Sequence, residues 1–272
     1  MKPKYLFDKR YRAWNTLQNK LLDLNIPIFI FLDYDGTIVP IQEKPKQAKL
    51  PESSRLLLDE LAQHPNTYVG IVSGRSMKDI RRMVKLTSLF YIANHGYEIY
   101  SRKIKWRHPI VTDIVPILKK LRTNFKKALK AIHGVLIENK IITLSIHYRQ
   151  LSGTLVSTLK KIIKSKMQEY SRFLKISSGK KVFEIKPKNN WNKGKAIFKV
   201  MDLFNATTDP LIIYIGDDKT DEDAFRLLPK GAFAIYVGSN SSSKAKYFLN
   251  DPNEVILFLK KLNHSLVLRK EM

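Results

Sequence analysis

Cysteine is absent from the 272 residues. That excludes a disulfide framework, a thiolate nucleophile and a cysteine-ligated metal, and it points to a reducing compartment. Long apolar stretches are missing as well: the run Ile26–Leu32 covers seven residues, against roughly 20 for a helix that spans a bilayer. The opening MKPKYLFDKRYRAW carries charge where a secretory signal has its apolar segment. A cytoplasmic protein with no membrane partner is the expectation. Acidic residues are scarce. Only 24 Asp and Glu stand against 49 Lys and Arg, a net charge of +25, and such a field draws anions. No zinc-ligand set, RNP-like aromatic motif or Gly-Xaa-Xaa-Gly loop accompanies the charge, so nucleic acid is not an expected partner.

What is present suffices for a folded core, since 44% of the residues are apolar. The charge is unevenly spread. Between residues 103 and 186, 20 Lys and Arg face four acids, Asp113, Glu138, Glu169 and Glu184. That contrast with the flanks predicts an inserted domain. Inside it, Leu118, Leu121, Phe125 and Leu129 recur at helical spacing with Lys119, Lys120, Lys126, Lys127 and Lys130 between them. Leu155, Leu159, Ile162, Ile163 and Tyr170 repeat the pattern. Most of these lysines therefore keep amphipathic helices hydrated, with steering of an anionic substrate as the second reading.

Along the chain, residues 5–24 read as a short helix with Tyr5, Trp14, Leu17, Leu21, Leu22 and Leu24 as packing residues. IPIFIFLDYDGT, NTYVGIVSGR, FYIANHGYEIY and LIIYIGDD read as buried strands that end in polar groups, and AFAIYVG as the final strand. Helices are expected over 52–64, 76–85, WNKGKAIFKVMDLF and 221–228. Strands alternating with helices predict an α/β, doubly wound parallel sheet of the Rossmann-like kind, with its site at the carboxyl edge. The core is expected over 1–103 and 187–272, with 1–25 as a helical extension. The stretch 104–186 reads strand, helix, strand (VLIENKIITLSIHYR), helix, strand (KVFEIKP), a small α+β cap.

Asp33 and Asp35 stand two apart at a strand end, so both can point to one side. Gly36 permits a sharp turn there and Thr37 can orient the loop. Two such carboxylates repel unless a cation or proton lies between them. A second acidic cluster, Asp217, Asp218 and Asp221, again follows an apolar strand. Two acidic strand ends meeting at one sheet edge suit an oxygen-liganded Mg²⁺. Glu222 and Asp223 serve a helix amino terminus. Ser73 in SGR and Lys193 in NKG supply a hydroxyl and an ammonium that can cradle a phosphoryl group.

The order DYDGT, SGR, NKG, GDDKTDED resembles the haloacid dehalogenase superfamily of aspartate-nucleophile phosphatases. More narrowly, DYDGT, NHGYE, HYR, EIKP and GDDKTDEDAF are similar to the trehalose-6-phosphate phosphatases, a likeness that spans about 28–238. The resemblance implies Asp33 as nucleophile and Asp35 as general acid and base. It implies Mg²⁺ held by Asp33, the Asp35 carbonyl and Asp217, with Asp218 and Asp221 direct or through water, and Ser73 and Lys193 on the phosphoryl oxygens. The insert then becomes a lid that closes over the site, with Glu138, Lys140, His147, Arg149 and Glu184 as sugar contacts, unless Glu138 and Glu184 merely pair with neighbouring lysines. Tyr34, Gly36, Thr37 and Gly74 are further substrate-contact candidates. Arg75 is either a phosphate contact or a structural ion pair, and Asn94, His95 and Gly96 shape the floor of the site. The expected substrate is a small sugar phosphate, trehalose 6-phosphate, with a functional link to a trehalose-6-phosphate synthase. Sucrose phosphate or a phosphorylated glyceryl sugar fits the same core motifs. An inert core with a basic binding role is the alternative outside enzymes.

Overall fold

The run Ile28–Asp33 is buried at all six positions. Period-two alternation sends Ile28, Ile30 and Leu32 into one apolar cluster and Phe29 and Phe31 into another. A strand covered on both faces needs a helix layer on each side. The computed structural model, which describes every residue except Met1, Leu24, Glu43, Lys44, Lys180, Thr207, Thr208 and Met272, has that arrangement. It divides into two compact units, Met1–Trp106 with Trp191–Met272, and Arg107–Asn190.

The first unit begins with β1 (Lys4–Tyr5), α1 (Ala13–Leu21), β2 (Ile28–Asp33), α2 (Glu52–Gln63), β3 (Thr67–Val72), α3 (Met77–Val84), β4 (Phe90–Ala93), β5 (Glu98–Tyr100) and β6 (Lys105–Arg107). The second unit carries α4 (Val111–Ala128), β7 (Leu136–Asn139), β8 (Leu144–His147), α5 (Gly153–Gln168), β9 (Leu174–Gly179) and β10 (Val182–Pro187). The first then resumes with α6 (Lys193–Leu203), β11 (Leu211–Gly216), α7 (Lys219–Leu227), β12 (Phe233–Val237), β13 (Tyr247–Leu249) and α8 (Pro252–Glu271). Its sheet runs β1-β13-β12-β11-β2-β3-β4-β5-β6. The pairs from β1 to β4 are parallel, and β5 returns antiparallel on β4. α1, α2, α3 and α8 bury their apolar residues on one face, α6 and α7 on the other. This is the doubly wound α/β core read from the alternation.

Several elements depart from the sequence reading. Residues 5–24 are not one helix: Tyr5 lies in β1, which pairs with β13 at the sheet edge, a 3-10 turn covers Lys9–Tyr11, and the α-helix begins at Ala13. Leu22, expected to pack, is 56% exposed, and Leu24 lies outside the described residues. AFAIYVG is not the final strand, because β13 and α8 follow it. α8 buries Val255, Phe258, Leu259, Leu262 and Leu266 at helical spacing.

In the second unit VLIENKIITLSIHYR is a hairpin rather than one strand: β7 and β8 pair antiparallel, and Lys140 N–H bonds the Thr143 carbonyl across the turn. The Asn139 side chain accepts from Ile141 N, a local bond that turns the chain, while Ile141 and Ile142 disguise the turn as strand. The sheet order is β7-β8-β10-β9. One face packs Leu144, Ile146, Phe183 and Ile185 in a cluster with α4 and α5 residues. No helix among the described residues is long and apolar enough to cross a membrane.

Candidate active site

Parallel registration brings the polar strand ends together. Leu32 lies opposite Ile215 and Asp33 opposite Val72, so Asp33 sits level with Gly216, beside Ser73, and one residue short of Asp217. Lys193 arrives from the amino end of α6, whose Asn192 cap accepts from Lys195 N. Its Nζ donates to Asp33 Oδ1 at 2.6 Å and to Asp221 Oδ1 at 2.7 Å. The lysine side chain is 3% exposed. Burial alone pulls the ammonium down, but the Asp221 and Asp33 carboxylates outweigh it and hold Lys193 well above its ordinary range. Burial pushes the Asp33 carboxyl up; Lys193 pulls it down, and the Asp221 and Asp217 charges push it up again.

Asp33, Asp217 and Asp221 each offer an oxygen within 4.8 Å of the others. Gly36 makes room for this. Its φ is +91°, and a Cβ there falls 2.2 Å from Asp217 Oδ2. Asp33 and Asp221 are buried, so negative charge of the kind a divalent cation offsets is concentrated at this strand edge. Asp218 is not in this group. It is exposed and caps α7, accepting from Lys219 N, while its own N–H bonds Asp221 Oδ2 at 2.9 Å. The carboxylate of Asp35 also lies outside it, held by Arg75 through Nε at 2.7 Å and Nη2 at 2.5 Å. Glu222 Oε2 accepts from Lys244 N at 2.8 Å, tying the following loop to the first turn of α7.

Ser73 is buried, and its Oγ accepts from Arg75 N at 3.1 Å, so the hydroxyl proton stays available to another acceptor. The turn after β4 packs beside it: His95 N bonds the Ser73 carbonyl and Asn94 N bonds the Arg75 carbonyl. Asn94 Nδ2 donates to Glu98 Oε2 at 2.7 Å, His95 stands against Gly74, and the Gly96 carbonyl accepts from Trp191 Nε1 at 2.9 Å. The Tyr34 side chain departs from its neighbours in DYDGT. Alternation turns it away from Asp33 and Asp35 into the apolar core, fully buried, its hydroxyl donating to the Ala48 carbonyl. Burial raises this phenol from 10.0 to about 12. Thr37 is also fully buried.

In the second unit, Glu138, Ser145, Glu184 and Ser177 form one transverse row on the face opposite the helices. Lys140 Nζ donates to Glu184 Oε1 at 3.1 Å, and His147 Nε2 lies 2.8 Å from Glu138 Oε2. Both glutamates thus pair with cations or potential cations of their own sheet. Arg149 is exposed in the turn after β8.

Sequence reasoning missed Tyr214, which donates to Asp221 Oδ1 at 2.6 Å inside the core. The available signal was a single polar-tipped residue in the otherwise aliphatic LIIYIG strand.

The trehalose-phosphatase family matches residues 31–253. A probable trehalose-phosphate phosphatase G of Arabidopsis thaliana is 34% identical over 264 residues, covering 88% of this chain and 69% of that protein. Among solved structures, a trehalose-6-phosphate phosphatase related protein superposes with a TM-score of 0.78 at 25% identity, over 89% of this chain and 99% of that one. A haloacid dehalogenase-like hydrolase from Bacteroides thetaiotaomicron shares the fold, with a TM-score of 0.62 at 13% identity over 86% of this chain and 99% of that one. With the motif residues gathered at one sheet edge and a family match across most of its length, this chain belongs to the trehalose-phosphatase family and is a phosphoric monoester hydrolase.

Proposed function

We propose that this protein hydrolyses trehalose 6-phosphate to trehalose and orthophosphate, with Mg²⁺ as cofactor and Asp33 as nucleophile. The observation that carries the reading is the Lys193 ammonium held between Asp33 and Asp221 beside Asp217. Three carboxylates and one ammonium leave two negative charges in a largely buried cluster, and a divalent cation offsets that charge. Asp33 and Asp217, with the Asp35 carbonyl, would hold the ion; bound there, it offsets charge on the transferred phosphoryl group.

The chain's own groups divide the remaining work. Asp33 Oδ1 is engaged by Lys193, which leaves Oδ2 to attack phosphorus as the bond to the sugar oxygen breaks. Asp35, released from its Arg75 pair and taking up a proton from solvent, passes that proton to the departing oxygen. Water then attacks the phosphorus of the aspartyl phosphate, its proton passes to Asp35, and the bond to Asp33 opens. The Ser73 hydroxyl and Lys193 hold the phosphoryl oxygens, since transfer of this group needs placed donors more than covalent help. The second unit supplies Glu138, Lys140, His147, Arg149 and Glu184 as donors and acceptors for sugar hydroxyls.

A phosphate-release screen tests this directly, using trehalose 6-phosphate, sucrose phosphate, a phosphorylated glyceryl sugar and p-nitrophenyl phosphate, with Mg²⁺ or with chelator. Trehalose 6-phosphate is expected to lead the panel, only with Mg²⁺, and Asp33→Asn to abolish turnover with the fold intact. Release from none of the four, or residual Asp33→Asn activity above about a hundredth of wild type, overturns the proposal.

A further inference from the structure

The reaction just described has no use for one buried hydroxyl at its centre. Tyr214 stands in mid-strand β11, fully buried, between the rings of Phe31 and Phe225 at centroid separations of 6.3 and 5.5 Å. Its phenol donates to Asp221 Oδ1 at 2.6 Å, the oxygen that also receives Lys193 Nζ at 2.7 Å. Asp221 Oδ2 accepts from Asp218 N at 2.9 Å. Both oxygens of Asp221 are therefore committed to donors of the chain, three in all. A carboxylate with three fixed donors cannot rotate without breaking one of them, and each break in a dry interior leaves a polar group unsatisfied. Asp33 is different: Lys193 takes only its Oδ1.

Gly216 adds to the constraint, because a Cβ there would lie 2.4 Å from Asp221 Cγ. The carboxylate is thus pressed against the end of β11, within reach of the phenol. Remove the phenol, and Asp221 Oδ1 keeps Lys193 alone, so the carboxylate and the ammonium can move together.

We propose that Tyr214 is a positioning residue: it fixes Asp221 as the anchor of Lys193, and not as a metal ligand, so that the ammonium meets the phosphoryl group from a set direction. The proposal rests on the hydrolytic reading above. The two fail separately, because the first is judged on the unsubstituted protein and the second on variants compared with it.

The experiment uses the full chain as wild type, Tyr214→Phe, Asp221→Asn and the double variant. Orthovanadate stands in for the phosphoryl group in binding measurements with Mg²⁺ present, and calorimetry measures Mg²⁺ binding by itself. Tyr214→Phe is expected to weaken vanadate binding and lower kcat by about tenfold each, the worth of one hydrogen bond to a charged group. The loss should be alike for trehalose 6-phosphate and p-nitrophenyl phosphate, with the Mg²⁺ dissociation constant unchanged within about twofold. The double variant should equal Asp221→Asn, because the phenol acts through that carboxylate. Should Tyr214→Phe fail to fold, Asp221→Asn carries the test: it must weaken vanadate binding and leave Mg²⁺ binding within about threefold. Vanadate affinity and kcat within about twofold of wild type in Tyr214→Phe overturn the proposal. So do additive losses in the double variant, or a rise of about tenfold or more in the Mg²⁺ dissociation constant of Asp221→Asn.

Discussion

Replacing Lys193 by methionine keeps most of the side chain's apolar stem and removes the ammonium, both its charge and its two donated hydrogen bonds. The ammonium is 2.6 Å from Asp33 Oδ1 and 2.7 Å from Asp221 Oδ1, with 3% of the side chain exposed, so solvent screens little of the interaction. Removing one partner of such a buried set costs about 3–5 kcal/mol. For a chain of 272 residues the unfolding entropy is about 0.6 kcal/mol per kelvin, so the expected fall in melting temperature is about 5–9 °C.

The pH dependence follows from what remains. Without the ammonium, burial and the Asp221 and Asp217 charges push the Asp33 carboxyl up unopposed. A folded-state value above the unfolded one stabilises the fold at low pH, and that contribution is lost as pH rises through the folded value. The deficit of Lys193→Met relative to wild type is therefore largest near pH 8 and shrinks toward pH 5.5. Thermal melts followed by circular dichroism at both pH values, in chelator, make the comparison. A loss under about 2 °C at pH 8, or a deficit that grows on acidification, would refute the reasoning.

Gly36→Ala should weaken Mg²⁺ binding by at least about tenfold in calorimetry, because the new methyl must displace Asp217 and the backbone sits at positive φ; unchanged affinity counts against Asp217 as a ligand. Glu184→Gln should raise KM for trehalose 6-phosphate by about tenfold or more and leave p-nitrophenyl phosphate nearly unaffected. Equal effects on both substrates would reject a sugar-reading role for the Lys140–Glu184 pair. Absorbance titration near 295 nm should show tyrosines that ionise late, since burial raises Tyr34 and Tyr91 from 10.0 to about 12. The raised values mean that the fold loses stability as pH climbs from 10 to 12. A complete phenolate signal near pH 10 before any unfolding contradicts their burial.

The core was legible because its central strands are simple. IFIFLD, TYVGIV and LIIYIG are continuous apolar runs ending in Asp, Ser-Gly and Gly-Asp, and only a parallel sheet covered on both sides buries them and aligns those ends. The edges were harder. β1 is two residues long and β13 three, too short for alternation to register, and both depend on partners far away in sequence. The α8 stripe was present in the letters, but exposed Leu257, Val267 and Leu268 blur it. For the site, the acids, Ser73 and Lys193 announce themselves by type and position. The separation of Asp218 from Asp217 and Asp221 does not, since it depends on which carboxylate caps α7. Nor does the isolation of Tyr34: DYDGT reads as one functional loop, yet alternation divides its side chains between the site and the core.

The sheet order also sets a timetable for biosynthesis. β2 lies between β3 and β11, and β11 is translated only after the whole second unit. At about 5–20 residues per second, the 177 residues between Asp33 and Leu211 take the ribosome roughly 9–35 s. Through that interval the strand IFIFLD of the nascent polypeptide lacks its β11 neighbour on one flank, while the contiguous second unit is being completed.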